Sequence, residues 1–296
     1  MSISSDQFAF ALHGGAGAVA GRNYDSVEQH LHKLTAECQA LLASGGNALD
    51  VVETAVMELE RSGMYVAGRG SAPNTAGYVE LDASIMHGPT REAGAVAALS
   101  GFESPIHIAR GVMTKTPHVL LAGSGAATFA RSNGYAAVIN PDTYYVIPVG
   151  VTEDDLTNSS AHGTVGAVAL DQSGALAAAT STGGTFGKLE GRIGDTPLIG
   201  PGTWADDDIA ISCTGTGEHI IRAGGAISIA CAFKSGVELD KAINDMLDEV
   251  RRLGGDAGII AVTRDLGIAT LYNSDGMKRA SVSTHQPLQV ATFNAS

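Results

Sequence analysis

Cysteine is scarce in this sequence, with three residues among 296. They are Cys38, Cys213 and Cys231, and no two of them form a Cys-x-x-Cys pair. The sequence therefore shows neither a zinc knuckle nor a readable disulfide framework. We expect three reduced thiols that pack as small apolar side chains.

Basic residues are also few: 18 Lys and Arg against 31 Asp and Glu give a formal net charge of −13. An acidic chain repels phosphate backbones, which argues against nucleic acid as a partner. Long apolar runs are missing as well. The run from Phe8 to Leu12 is too short for a signal peptide or a membrane span, and residues 1–6 contain no basic region. We expect a cytoplasmic protein that does not bind membranes.

Several common motifs are incomplete. The segments 123–128 and 215–220 lack the third glycine of a dinucleotide site, and segment 183–188 lacks the Ser or Thr that follows a P-loop lysine. The nine histidines show no metal-binding spacing, so we expect no metal held by side chains. For His13, bonding to nearby backbone is favoured over a catalytic role. The acidic residues 206–208 are expected to be a solvated loop rather than a cation site.

The order of elements favours an antiparallel sheet layered with helices. Alternating patterns predict several hairpins, among them 164–170 with 175–180 and a last one at 258–272. Asp25 and Glu28 resemble a capping box that opens a helix to about Leu42, and Asn47 is expected to cap a second helix. Mixed runs of strands and helices are typical of α+β folds rather than of a doubly wound parallel sheet.

A polar segment at about 135–163 interrupts this pattern and has no periodicity, which favours a mobile linker. Immediately after it the sequence Gly163-Thr164-Val-Gly166 begins a strand. Threonines, glycines, one arginine and one aspartate then recur up to Gly217. Each of these motifs alone fits an ordinary Thr- and Gly-rich β protein, but together, in this order, they form a specific signature.

With these residues the chain resembles the plant-type L-asparaginase and isoaspartyl peptidase family, whose members are N-terminal-nucleophile hydrolases. The motifs that carry the resemblance are His13–Gly17, Gly68–Ser71, Glu80–Met86, Lys115–His118, Gly163–Leu170 and Asn273–Met277. The resemblance implies a four-layer αββα sandwich forming one domain. It also implies self-cleavage between Gly163 and Thr164 into chains 1–163 and 164–296, and a homodimer of cleaved protomers. A structural Na⁺ bound by backbone carbonyls near residues 58–70 is implied as well.

The resemblance also implies a role for each site residue. Thr164 would be the nucleophile, and its freed α-amine, with a pKa of about 7.7–8.0, would act as the base. Thr182 would orient the nucleophile. Arg192 would bind the substrate α-carboxylate, and Asp195 would bind its α-amino group. Thr214 and Gly215 would form the oxyanion hole. The helix N-terminus at Gly217 is a further site for an anion. The substrates would be β-aspartyl peptides and L-asparagine.

Val66 departs from the family pattern, which has asparagine at this place. Valine offers no hydrogen bond to a nearby nucleophile, so either a hydroxyl such as that of Ser71 substitutes, or turnover favours larger leaving groups than ammonia. Two other readings stay open: a glycosylasparaginase-like amidase, and an inactive relative that only binds aspartyl ligands.

Overall fold

The computed structural model describes residues 6–152, 154–155 and 163–294. Within them the strands are β1 Ala9–Ala16, β2 Leu81–His87, β3 Ala93–Leu99, β4 Leu120–Ala122, β5 Val165–Leu170, β6 Leu176–Thr182, β7 Thr203–Ala205, β8 Ile209–Gly215, β9 Ala257–Thr263, β10 Ile268–Tyr272, β11 Met277–Ser283 and β12 Gln286–Ala291. They form an eight-stranded sheet, β12-β11-β1-β5-β6-β2-β3-β4, and a four-stranded sheet, β10-β9-β8-β7.

The larger sheet carries the helices of the first half on its outer face. They are α1 Asp25–Ala43, α2 Ala48–Ser62, α3 Pro105–Lys115, α4 Gly123–Ser132 and the short α5 Pro141–Tyr144, with a 3-10 turn at Gly68–Gly70. Apolar residues at helical spacing in α2, such as Val52, Val56 and Leu59, are buried against alternating residues of the sheet, such as Ala167 and Ala169.

The smaller sheet carries three helices of the second half: α6 Gly217–Ala223, α7 Gly225–Lys234 and α8 Leu239–Arg252. One core fills the space between this sheet and its helices, and another fills the space between the two sheets. The order of layers is therefore helix, sheet, sheet, helix, which confirms the expected α+β sandwich. No described helix is long and apolar enough to cross a bilayer.

Three local expectations differ from the structure. The Asp25/Glu28 capping box is wrong: Tyr24 is the N-cap residue of α1 and makes no capping bond, while Asn23 accepts the Asp25 N–H. The hairpin at 258–272 is not the last one, since β11 and β12 form another. Strands β3 and β4 pair in parallel. Asn47 does cap α2, accepting the Asp50 N–H at 2.8 Å.

The polar segment after Tyr135 is partly described. It contains α5, and backbone bonds tie Val138 to Gly101, Val146 to Arg69 and Val149 to Met64. Residue 153 and residues 156–162, the part of the expected linker nearest Thr164, lie outside the described residues.

Candidate active site

The Gly163–Thr164 junction lies at the start of β5, where the ladder with β6 begins at Val165 opposite Ser181. The next residue of β6, Thr182, donates its hydroxyl to the Gly163 carbonyl oxygen at 2.5 Å. The Gly184 N–H donates to the same hydroxyl at 2.9 Å. A donor on the carbonyl oxygen stabilises negative charge that develops there during attack on its carbon. The Gly163 carbonyl thus has a fixed donor, which attack on its carbon by the adjacent Thr164 side chain would need.

His13 contacts the other side of the junction. Its Nδ1 lies 3.1 Å from the Thr164 carbonyl oxygen, and its Nε2 lies 2.9 Å from Ser212 Oγ. Burial lowers the pKa of His13 to about 3, although the bond to Thr164 acts in the opposite direction. The imidazole is therefore neutral at ordinary pH. The expectation that His13 bonds nearby backbone is confirmed, and the backbone in question is that of Thr164.

A narrow pocket opens beside this junction. It brings together most of the residues singled out in the sequence, although these are spread over more than fifty positions. Its lining consists of Gly163, Thr164, Thr182, Gly184, Thr185, Arg192, Gly194, Asp195, Thr196, Gly215 and Gly217. Thr164 and Thr182 are both buried, so the nucleophile that the sequence suggests is shielded from bulk water.

Arg192 lies at the pocket in a fork-to-fork ion pair. Its Nε and Nη2 each donate at 2.8 Å to a different carboxylate oxygen of Glu218. This leaves Nη1 without a hydrogen bond to any described residue. A guanidinium is suited to a second carboxylate, because its five donors lie in one plane. The sequence did not single out Glu218 as a site residue, although Glu218 directly follows Gly217, which was singled out.

Asp195 is a buried residue that also lines the pocket. Its Oδ2 has no hydrogen-bond partner among the described residues, and burial raises the pKa of this carboxyl to about 7 despite Arg192 nearby. Gly217 allows the close approach on this side, since a Cβ there would lie 2.9 Å from Asp195 Oδ1. A buried acceptor without a partner is costly, and a ligand ammonium group would satisfy it.

Thr214 and Gly215 end strand β8. Gly215 lines the pocket, with a φ of 138° that favours glycine. Thr214 is fully buried and is not among the lining residues; its hydroxyl accepts the Ala16 N–H at 3.2 Å. Because that bond uses the oxygen as acceptor, the hydroxyl proton remains able to donate.

Two expectations about other motifs have clear outcomes. Lys188 belongs to no phosphate loop; its buried ammonium donates to the Glu80 carbonyl at 2.8 Å. The solvated-loop reading of residues 206–208 is wrong for Asp206, which is buried and paired with Lys234 and Arg91. In the described part of the chain no group of His, Cys, Asp and Glu could hold a metal ion.

Comparison with known proteins gives one family. The family model described as "Asparaginase" matches residues 6–148 and 145–292. An "Isoaspartyl peptidase" of Salmonella typhimurium is 43% identical, with 91% of this chain and 93% of that protein covered. A "Probable isoaspartyl peptidase/L-asparaginase 2" of Arabidopsis thaliana is 37% identical, with 97% and 99% covered. The human "Isoaspartyl peptidase/L-asparaginase" is 39% identical, with 90% of each chain covered.

Proposed function

The chain belongs to the asparaginase family and is a hydrolase of that family, and from this premise we propose that it cuts itself before Thr164 and then hydrolyses β-aspartyl peptides and L-asparagine. The observation that carries this proposal is the bond from Thr182 to the Gly163 carbonyl. A donor at this carbonyl would stabilise the oxyanion of self-cleavage, which supports the proposal over a protein that only binds ligands.

Self-cleavage follows from this arrangement in two steps. The Thr164 hydroxyl attacks the Gly163 carbonyl carbon, the C–N bond breaks, and the proton moves from oxygen to the departing nitrogen. The ester that results joins Gly163 to the Thr164 oxygen. Water then hydrolyses it, which leaves a carboxylate on Gly163 and a free α-amine on Thr164.

Substrate hydrolysis uses the same residues again. The freed amine accepts the proton of its own hydroxyl, and the oxygen attacks the side-chain amide carbon of the bound aspartyl group. Thr214 and the Gly215 N–H stabilise the oxyanion, and the leaving amine departs with a proton, which leaves an aspartyl ester on the Thr164 oxygen. Water then hydrolyses this ester, releasing aspartate and returning the proton to the Thr164 hydroxyl. Arg192 holds the α-carboxylate and Asp195 holds the α-ammonium group. These two contacts select a free aspartyl head, so the bond that is cut lies on its side chain.

A kinetic assay tests the function directly. Purified protein is incubated with a panel of β-aspartyl dipeptides, with L-asparagine and with an N-glycosylated asparagine, and Thr164→Ala is the control. We expect turnover of the first two classes and none by the control. Turnover of the glycosylated substrate alone would indicate a glycosylasparaginase-like amidase, and equal turnover by Thr164→Ala would contradict the mechanism.

We further propose a structural Na⁺ in the turn after α2. The resemblance to the family implies this site, and the glycines of the turn let backbone carbonyls, among them those of Glu60 and Gly63, lie close to the chain. A Cβ at Gly68 would lie 2.7 Å from the first, and a Cβ at Gly70 would lie 3.0 Å from the second. Oxygen ligands are those that hard cations prefer. A higher melting temperature in sodium chloride than in choline chloride at equal ionic strength supports the proposal.

A homodimer of cleaved protomers, which the resemblance to the family implies, and a cytoplasmic location remain proposals. Light scattering on the eluted protein measures the first, and cell fractionation measures the second. A monomeric mass would contradict the dimer.

A further inference from the structure

The carbonyl group of Thr164 is held by a side chain rather than by the sheet. In the ladder between β1 and β5 the last pair is His13 with Gly166, and the ladder between β5 and β6 begins at Val165. The Thr164 carbonyl lies beyond both ladders, and His13 Nδ1 is its partner. After self-cleavage Thr164 is no longer linked covalently to Gly163, so this bond becomes a constraint on the position of the new N-terminus.

The Thr164 carbonyl fixes the tautomer of His13, and a row of buried hydroxyls starts at the other ring nitrogen. A carbonyl oxygen can only accept, so Nδ1 carries the proton and Nε2 accepts from Ser212. The row continues from Ser212 through three fully buried hydroxyls between the two sheets, those of Thr180, Thr203 and Ser84, at successive distances of 2.8, 2.5 and 2.7 Å. The row ends at Ser84, whose oxygen also lies 2.6 Å from the carbonyl oxygen of Thr196, a pocket residue; its one proton can be donated either to Thr203 or to Thr196.

Two glycines make room for this contact. A Cβ at Gly166 would collide with both Ser212 Oγ and His13 Nε2, so the last residue of the Gly163–Gly166 motif is the one that lets the two side chains meet. Gly15 lies on the other side, where a Cβ would be 3.3 Å from the nitrogen and from the oxygen of Thr164. The turn at 13–15 therefore wraps the backbone of the nucleophile closely.

We propose that His13 is a positioning residue for the N-terminal nucleophile: together with Ser212 it anchors the peptide plane from which the Thr164 amine and hydroxyl project. This rests on the proposed function. His13 touches neither the substrate nor the reacting atoms, and it acts through Thr164 alone. Before cleavage the chain is tethered on both sides of Thr164, so loss of the anchor should harm substrate turnover more than self-cleavage.

A matched pair of variants separates the two contacts of the ring. The amide nitrogen of His13→Asn lies near the place of Nδ1 and can still donate to Thr164, whereas the amide of His13→Gln reaches toward Ser212. We expect both variants to mature. In His13→Gln kcat per mature chain should fall about 10- to 100-fold, the scale of a nucleophile displaced by about 1 Å. KM should stay within about twofold, since Arg192 and Asp195 are untouched. His13→Asn should recover most of the loss.

The readouts distinguish the possible failures. Mass spectrometry counts the mature chains, so a variant that is merely less stable lowers the number of active sites and leaves kcat per site unchanged. Equal kcat in His13→Gln and wild type, or equal losses in Gln and Asn, would overturn the anchor. If neither variant folds, Ser212→Ala decides: lower kcat at constant KM supports the anchor, and wild-type kcat rejects it. A wild-type protein that does not cleave itself before Thr164 would instead contradict the proposed function.

Discussion

At the scale of single residues, Val66 is the position where this site differs from the family pattern. The side chain is buried and packs against the residue before the scissile bond, since a Cβ at Gly163 would lie 2.9 Å from its Cβ and Cγ2. Ser71, the hydroxyl that could have taken over the role of an asparagine, is buried against Gly183, and its Oγ has no hydrogen-bond partner in the described chain. The wall beside Thr164 is therefore apolar at Val66.

An apolar wall favours leaving groups that are larger and less polar than ammonia. We predict that L-asparagine is a poor substrate compared with β-aspartyl dipeptides, and that Val66→Asn raises the ratio of asparagine to dipeptide turnover. Steady-state kinetics of both proteins on both substrates measure this ratio. Val66→Ala is the control, because it alters the packing without adding a polar group. A wild-type preference for asparagine, or an unchanged ratio in Val66→Asn, would make valine a neutral replacement.

Arg192 gives a second prediction at this scale. Its guanidinium should hold the substrate carboxylate equally in the ground state and the transition state, so Arg192→Ala should raise KM more than it lowers kcat. A charged hydrogen bond is worth about 1.5–3 kcal/mol, which corresponds to a rise of roughly 10- to 150-fold. Arg251→Ala, at an exposed ion pair on α8, is the control. Self-cleavage should survive, and an unchanged KM would remove Arg192 from the substrate site.

At the scale of elements, the sequence predicts those segments whose signal is local. The amphipathic pattern of residues 237–253 predicts a helix, and α8 lies there at Leu239–Arg252 with Ile243, Met246 and Val250 buried on one face. The hairpin of β11 and β12 was not predicted, because Lys278, Arg279 and Ser281 interrupt the alternation of apolar and polar residues in β11. Lys278 and Ser281 are nevertheless buried, because α1 and the neighbouring β1 pack against β11, which no local pattern reveals. Strand β7 is three residues long and has too little sequence for any periodicity.

The site shows the same division. Thr164, Thr182, Arg192 and Asp195 were recognised from their order along the chain, and the fold brings them to one pocket. The row of hydroxyls behind His13 was not recognised, because it joins strands distant in sequence. The partner of Arg192 was not recognised because Arg192 lies in a loop and Glu218 lies on α6. The alternation of β8 did point to Ser212. Its neighbours Ile211 and Cys213 have side chains buried against the helices of the smaller sheet. A polar residue at 212 therefore faces the other sheet.

At the scale of the whole molecule, Asp195 links function to stability. Its folded pKa is about 7, raised mainly by burial from 3.8, so the folded protein holds a proton that the unfolded chain has lost. Stability from this group is full below pH about 4 and declines as pH rises to about 7. We predict that Asp195→Asn melts higher than wild type. The difference in melting temperature between the variant and wild type should grow between pH 4 and 7 and stay constant above pH 7. Thermal unfolding at pH 4, 5.5, 7 and 8.5 measures it, and a difference independent of pH would contradict the buried charge.

The sheet order makes the two expected chains inseparable in the folded state. Strand β1 of the first chain lies between β11 and β5 of the second, and β6 of the second chain pairs with β2 of the first. Each chain therefore completes the ladder of the other, and the hydrophobic cores on both faces of the larger sheet contain residues of both. Cleavage at one peptide bond leaves all these contacts in place.

We predict that the mature protein elutes from a sizing column as one species and separates on a denaturing gel into chains of residues 1–163 and 164–296, with Thr164 as the new N-terminus by mass analysis. Thr164→Ala should remain a single chain and elute at the same volume, because the fold does not depend on the cut. Mixing the purified denatured chains should not restore activity readily, since strands of the two chains alternate across one sheet. A wild-type protein that stays uncut while it turns over substrate would refute an N-terminal threonine nucleophile, whatever its family.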